Sequence, residues 1–159
     1  MDLILWRHAE AGDARDGQDD LARTLTGKGE RQAARMAAWL NRQLPAGARI
    51  LASPAVRTQQ TVQALDRRFK TCDALAPGAD VRALLEAARW PDAREAVLVV
   101  GHQPVLGMAA ATVLTGQPMT WSLRKGAIWW LRSRERGVED EGSPSLKVQL
   151  VAALSPEML

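Results

Sequence analysis

The chain contains two histidines, His8 and His102, and each stands just beyond a short apolar run. His8 follows Asp2–Trp6 and Arg7, and His102 follows Ala96–Val100 and Gly101. A third run, Ile50–Ala52, leads through Ser53-Pro54 to Arg57. Imidazole serves as nucleophile, proton carrier or metal ligand near neutral pH. Arginine stays charged and presents a planar fork that matches an oxyanion. Taken singly, each residue has an ordinary explanation: Arg7 as a solvated charge, His8 as a hydrogen-bonded structural histidine, Arg57 as an exposed helical residue, His102 as a turn residue. Taken together, two arginines and two histidines at strand ends suit a dianion. A helix opening behind Ser53 would add its N–H groups and its positive dipole end. A zinc site built from His8, Glu10 and His102 is a rival, weakened because neighbouring arginines repel a cation. A phosphate-binding module without catalysis is another, and it would leave the same residues.

The surrounding elements follow from hydrophobic periodicity. Asp2–Trp6, Ile50–Ala52 and Ala96–Val100 read as strands buried on both faces. Thr26 caps a helix running to about Leu44, with Ala33, Ala37, Leu40 and Leu44 on one face, and Pro45-Ala46-Gly47 ends it. Ser53 as cap and Pro54 at the first helical position open a second helix, with Ala55, Val62, Leu65 and Phe69 as its apolar face. A weaker helix spans Asp80–Ala88, and an apolar one spans Val105–Leu114 and stops at Gly116. Ala9–Arg23 is a polar loop carrying Asp13, Asp16, Asp19 and Asp20. Ala127–Leu131 and Leu146–Val151 are late strands around a charged turn, Arg132–Ser145, and pair as a hairpin. The alternation predicts an α/β fold, a three-layer sandwich with a mainly parallel but mixed central sheet flanked by helices. Ligands of such folds bind at the carboxyl ends of the strands, where Arg7, His8, Arg57 and His102 fall.

Composition narrows the classes further. The 159 residues suit one domain, and 47% hydrophobic with 25% charged residues is a globular balance. The net charge is +3, and no tract of five like charges occurs, which argues against nucleic-acid binding through a dense basic segment. The start Met1-Asp2-Leu3 lacks a basic signal-peptide region, and His102–Leu123 is interrupted by Gln and Pro, so neither reads as a membrane segment. The single Cys72 fits a reducing compartment, and the expected location is cytoplasmic. Gly27-Lys28-Gly29 is not a phosphate-cradling P-loop, and no Gly-x-Ser-x-Gly elbow is present.

Four segments resemble the histidine phosphatase superfamily, whose members are phosphoglycerate mutase-like. They are Leu5-Trp6-Arg7-His8-Ala9-Glu10, Arg23-Thr24-Leu25-Thr26-x-x-Gly29, Ser53-Pro54-x-x-Arg57-Thr58-x-Gln60-Thr61 and Val100-Gly101-His102-Gln103-Pro104. Their order and spacing match from residue 3 to about 110. The short length and the end Leu154-Ser155-Pro156 look most like the SixA-type phosphohistidine phosphatases. Ala9 stands where glycine is commoner, and Thr24 where proline is usual; neither is a catalytic position.

The resemblance implies the histidine phosphatase fold over residues 1–159, as one domain without a large lid insertion. It implies His8 as the phosphoryl-accepting nucleophile, with Arg7, Arg57 and His102 holding the phosphoryl oxygens, and no metal or other cofactor. Larger members protonate an alcohol leaving group with a carboxylic acid, and no such acid can be placed here. Asp80, Glu86 and Asp92 each read as a helix or turn charge. An imidazole leaving group does without that acid, which points to phosphohistidine in a protein as substrate, with inorganic phosphate as product. A phosphomonoesterase acting on small metabolites is the alternative. No nucleic acid or membrane partner is expected. Of six tryptophans, Trp6 and Trp39 are expected in the core, and Trp90 and Trp121 in loops near the site rim. Trp129 and Trp130 are expected on opposite faces of a strand.

Overall fold

The computed structural model describes residues 1–135 and 146–159. Its strands are β1 (Asp2–Arg7), β2 (Arg49–Ala52), β3 (Lys70–Thr71), β4 (Val97–Gly101), β5 (Ile128–Glu135) and β6 (Leu146–Leu154). Its helices are α1 (Gly27–Gln43), α2 (Val56–Gln63), α3 (Val81–Ala88) and α4 (Val105–Thr115). The strands form one sheet in the order β3-β2-β4-β1-β5-β6. β1 and β4, β2 and β4, and β2 and β3 run parallel, while β5 pairs antiparallel with both β1 and β6. The sheet is therefore mainly parallel and mixed, as the sequence predicts.

Period-two alternation along the central strands splits the core in two. Leu3, Leu5, Val97 and Val99 face Leu84, Leu106 and Ala110 of α3 and α4. Ile4, Trp6, Leu98 and Val100 face Met36, Leu40 and Val62 of α1 and α2. Two helical layers thus enclose the sheet. The Thr26 hydroxyl accepts from the Gly29 amide at 3.0 Å and caps α1. Gly116 ends α4 at φ 77°, a left-handed position that glycine takes without steric cost.

Three boundaries differ from the sequence reading. α2 starts at Val56, with Ala55 in the cap position and no side-chain cap, while the Ser53 hydroxyl contacts the Ala55 amide and His102. The same helix stops at Gln63, short of Phe69, where the chain turns through Asp66 at φ 52°. β5 continues through Arg132 to Glu135, inside the stretch expected as a turn. Arg132 makes a two-pronged ion pair with Asp2, at 2.6 and 2.8 Å, and the Ser133 amide donates to the Met1 carbonyl at 2.8 Å. The remainder of that expected turn, 136–145, lies outside the described residues. β3, two residues long, is too short for periodicity to reveal.

The tryptophans divide as their positions dictate. Trp6 is fully buried, and its indole N–H donates to the Gly126 carbonyl at 3.0 Å. Trp39 is half-buried and packs edge-on against Trp130, with ring centroids 6.3 Å apart. Trp129 and Trp130 join opposite core clusters, as adjacent strand residues must. Trp121 packs on Trp129. Trp90 does not lie at the site rim. It follows α3, and its neighbours Pro91 and Asp92 share a cavity with Met1 at the amino end of β1.

Candidate functional site

Strand register places the two histidines. Arg7 at the end of β1 is level with Gly101 at the end of β4, so His8 and His102 leave the sheet side by side. The His8 amide donates to the Gly101 carbonyl at 3.1 Å, and the imidazole centroids are 5.4 Å apart. β2 ends on the other flank of β4, where the Ser53 amide donates to the Val100 carbonyl at 3.1 Å. α2 begins three residues later and carries Arg57 in its first turn. All four expected residues therefore meet at the carboxyl rim of the sheet. His8, Arg57 and His102 are buried, with 7%, 3% and 4% of their surfaces exposed.

The hydrogen bonds assign the imidazole protons. His8 Nδ1 lies 2.7 Å from the Ala9 carbonyl, which can only accept. The proton is therefore on Nδ1, and Nε2 keeps its lone pair. His102 is anchored through its other nitrogen. Its Nε2 lies 2.7 Å from the Ser53 hydroxyl, and that oxygen already accepts from the Ala55 amide at 3.2 Å. Among the described residues the hydroxyl has no other acceptor for its proton, so it donates to Nε2, which places the ring proton on Nδ1. His102 Nδ1, Arg7 Nε and Arg57 Nε are buried and have no hydrogen-bond partner within the protein. Buried donors are almost always paired, so three orphan donors on one rim mark a place built for an acceptor-rich group. One histidine presents a lone pair there; the other presents an N–H.

Both imidazoles are held neutral. Burial, opposed by the Ala9 carbonyl and reinforced by the charges of Arg57 and Arg7, pushes His8 down to about 4. Burial and the charges of Arg57, His8 and Arg7 push His102 down to about 3, with Asp20 pulling the other way. Burial also lowers Arg7, which remains a cation at neutral pH.

Several residues outside the expected set shape the rim. Thr61 accepts from the Ala9 amide at 3.1 Å and donates to the Arg57 carbonyl at 2.7 Å, tying the first rim to α2. Arg7 Nη1 donates to the Leu123 carbonyl at 2.7 Å, and the Gly126 amide to the His8 carbonyl at 3.0 Å. Asp20 contacts Arg57 through its carbonyl at 2.8 Å and its carboxylate at 3.1 Å. Nothing in the sequence distinguishes Asp20 from the other acids of the polar loop except its place three residues before Arg23, whose Nε it also binds at 2.9 Å. The Ser53 role is hidden because Ser-Pro reads as a helix start.

The sequence-level rivals meet definite geometry. The Glu10 carboxylate is spent on Thr26 at 3.0 Å and Lys28 at 3.5 Å, so it does not complete a zinc set with the histidines. Among the described residues no group of three His, Cys, Asp or Glu is placed to hold a metal ion. Asp80 caps α3 through the Ala83 amide at 2.7 Å, and Glu86 pairs with Arg82 at 2.8 Å. Among the described residues no helix is long and apolar enough to cross a membrane.

Comparison with known proteins places the chain in a family. The family described as the histidine phosphatase superfamily (branch 1) matches residues 3–77. The phosphohistidine phosphatase SixA of Escherichia coli is 31% identical over 126 residues, covering 74% of this chain and 76% of that one. A crystal structure described as a phosphohistidine phosphatase SixA from Agrobacterium tumefaciens superposes with a TM-score of 0.77 at 23% identity, covering 98% of this chain and 97% of that one. A structure of the protein histidine phosphatase SixA complexed with tungstate superposes at 0.71 and 25% identity, covering 99% of each chain. The sheet, its helices and the motifs define a phosphatase of the α/β class. The chain belongs to the histidine phosphatase superfamily, and within it to the SixA-type branch.

Proposed function

We propose that this phosphatase transfers the phosphoryl group of phosphohistidine in a protein to His8 and then to water. The observation that carries the reading is the Ala9 carbonyl bond, which holds the His8 proton on Nδ1 and leaves Nε2 free to attack. In the first step the Nε2 lone pair forms a bond to phosphorus. The P–N bond to the substrate imidazole, protonated on its other ring nitrogen, breaks, and the electron pair stays on the substrate nitrogen, which departs as neutral imidazole. In the second step a water oxygen attacks phosphorus, the bond to His8 breaks, and orthophosphate leaves. Phosphoryl transfer depends mainly on positioning and on stabilising charge on the equatorial oxygens. Arg7, Arg57 and the His102 Nδ1–H supply donors for those oxygens. The arginines already provide positive charge, so the reading needs no metal.

The leaving group fits the residues present. Protonated imidazole has a pKa of about 6.5, so the group departs without a strong acid, unlike an alkoxide. Of the carboxylates weighed for that role, Asp80 is occupied in a cap, Glu86 in an ion pair, and Asp92 lines a cavity with Met1 at the amino end of β1. Tungstate, named with one solved relative, is an oxyanion that mimics phosphate. The reading takes residues 1–159 as one domain with no lid insertion, its rim open to a phosphorylated protein surface.

The test is phosphate release from a histidine-phosphorylated carrier protein in the presence of a chelator. Wild type should release phosphate and transiently carry label on His8, and His8→Ala should do neither. Release only from small phosphate esters would move the substrate to metabolites. Orthophosphate binding without turnover of either substrate would leave a binding module.

A further inference from the structure

The polar loop after β1 returns to the rim through Asp20, whose side chain serves neither the core nor the sheet. Arg57 is almost fully buried, yet its outer edge faces this half-exposed carboxylate. Two contacts hold the guanidinium: Nη1 to the Asp20 backbone carbonyl at 2.8 Å, and Nη2 to the Asp20 carboxylate at 3.1 Å. The other carboxylate oxygen takes Arg23 Nε at 2.9 Å, and Arg23 is itself held to the Gly12 carbonyl at 3.0 Å. The preceding Asp19 caps this short turn by accepting from the Leu21 amide at 3.0 Å. The carbonyl contact positions Arg57 whatever charge the side chain carries. The carboxylate adds a resident negative charge on a guanidinium that has an unpartnered Nε nearby.

We propose that Asp20 sets the anion affinity of the site by sharing Arg57 with the incoming phosphoryl group, so that orthophosphate is held weakly and leaves readily. The proposal rests on the phosphatase reading above. Two anions on opposite edges of one guanidinium lie about 5–6 Å apart, and with one of them half-exposed their repulsion weakens binding roughly tenfold. The Asp20 charge reaches into the rim, because it is among the groups acting on His102. Burial of the carboxylate is outweighed by the hydrogen bonds and charges of Arg57 and Arg23, so it stays ionised at neutral pH. A strong anion site would otherwise fill with its own product. A resident carboxylate keeps the donors in place while lowering their net charge.

The experiment is calorimetric titration of orthophosphate into wild type, Asp20→Asn, Asp20→Ala and Asp19→Asn at neutral pH and low salt. Both Asp20 variants should bind orthophosphate roughly tenfold more tightly, and the gap should shrink in high salt. Asp19→Asn removes an equal charge one residue away and should change affinity by less than about twofold. A residue that merely positioned Arg57 would give weaker binding on substitution, so unchanged or weakened binding in the Asp20 variants overturns the proposal alone. Absence of binding by wild type overturns the phosphatase reading of the rim and the proposal with it.

Discussion

The two neutral, buried histidines should make the fold sensitive to mild acid, in a window set by their pKa values. In the unfolded chain each imidazole titrates near its ordinary 6.5, whereas in the fold His8 sits at about 4 and His102 at about 3. Between these limits the unfolded chain binds more protons, so stability falls as the pH drops. At pH 5 the folded imidazoles remain mostly neutral, so the loss is governed by the unfolded value. From pH 7 to pH 5 each histidine contributes a loss of about 2 kcal/mol, and the pair about 4 kcal/mol. That is a large share of the roughly 5–15 kcal/mol that holds an ordinary domain together. The assay is urea unfolding in phosphate-free buffer at both pH values, for wild type, His8→Asn, His102→Asn and the double variant. Each single variant should lose about 2 kcal/mol less than wild type on acidification, and the double variant about 4 kcal/mol less. Carboxylate contributions are common to all four proteins and cancel in that comparison. Parallel losses in wild type and the double variant would refute the claim that the rim holds both rings neutral.

Three further outcomes follow from contacts at and behind the rim. Gly29→Ala places a methyl 1.9 Å from the Glu10 carbonyl, and Gly107→Ala one 1.6 Å from the Trp121 carbonyl. Each should cost about 2–3 kcal/mol in urea unfolding, whereas Gly47→Ala, with open space around it, should be nearly neutral. Arg57→Lys keeps one charge but loses the fork, and phosphate release should fall roughly 10²–10³-fold with the fold intact by circular dichroism. Ser53→Ala leaves His102 Nε2 buried without its 2.7 Å partner and should lower stability by about 1–3 kcal/mol, read from the unfolding midpoint.

The strands other than β3, the α1 cap and the placement of Arg7, His8, Arg57 and His102 were legible because they rest on periodicity and strand ends. The apolar runs of β1 and β4 name themselves, since both faces are covered. What the sequence hid was long-range. β5 runs past Leu131 because Arg132 meets Asp2 from the far end of the chain, a contact that local propensity cannot report. Ser53 and Thr61 read as a helix start and an ordinary helical polar residue, yet their hydroxyls orient His102 and hold the Ala9 amide. Asp20 was one acid among four in a loop, and only the fold selects it. Trp90 was misplaced because chain proximity to a loop says nothing about which end of the sheet that loop occupies.

One register explains how two histidines, both protonated on Nδ1, present opposite nitrogens to this rim. The level pairing of Arg7 with Gly101 makes the next residues neighbours, so the imidazoles share one field and one degree of burial. Burial lowers both pKa values and would by itself yield two equivalent neutral rings. Their inequality comes from what each nitrogen meets: a backbone carbonyl for His8 Nδ1, a hydroxyl for His102 Nε2. The carbonyl cannot donate, so His8 is left with an outward lone pair. The hydroxyl gives its proton to Nε2, so His102 is left with an outward N–H. A nucleophile and a donor for the oxygens it attacks thus arise from one residue type without either ring being charged. Converting Ser53 to a group that only accepts would reverse the His102 proton and put two lone pairs against one anion.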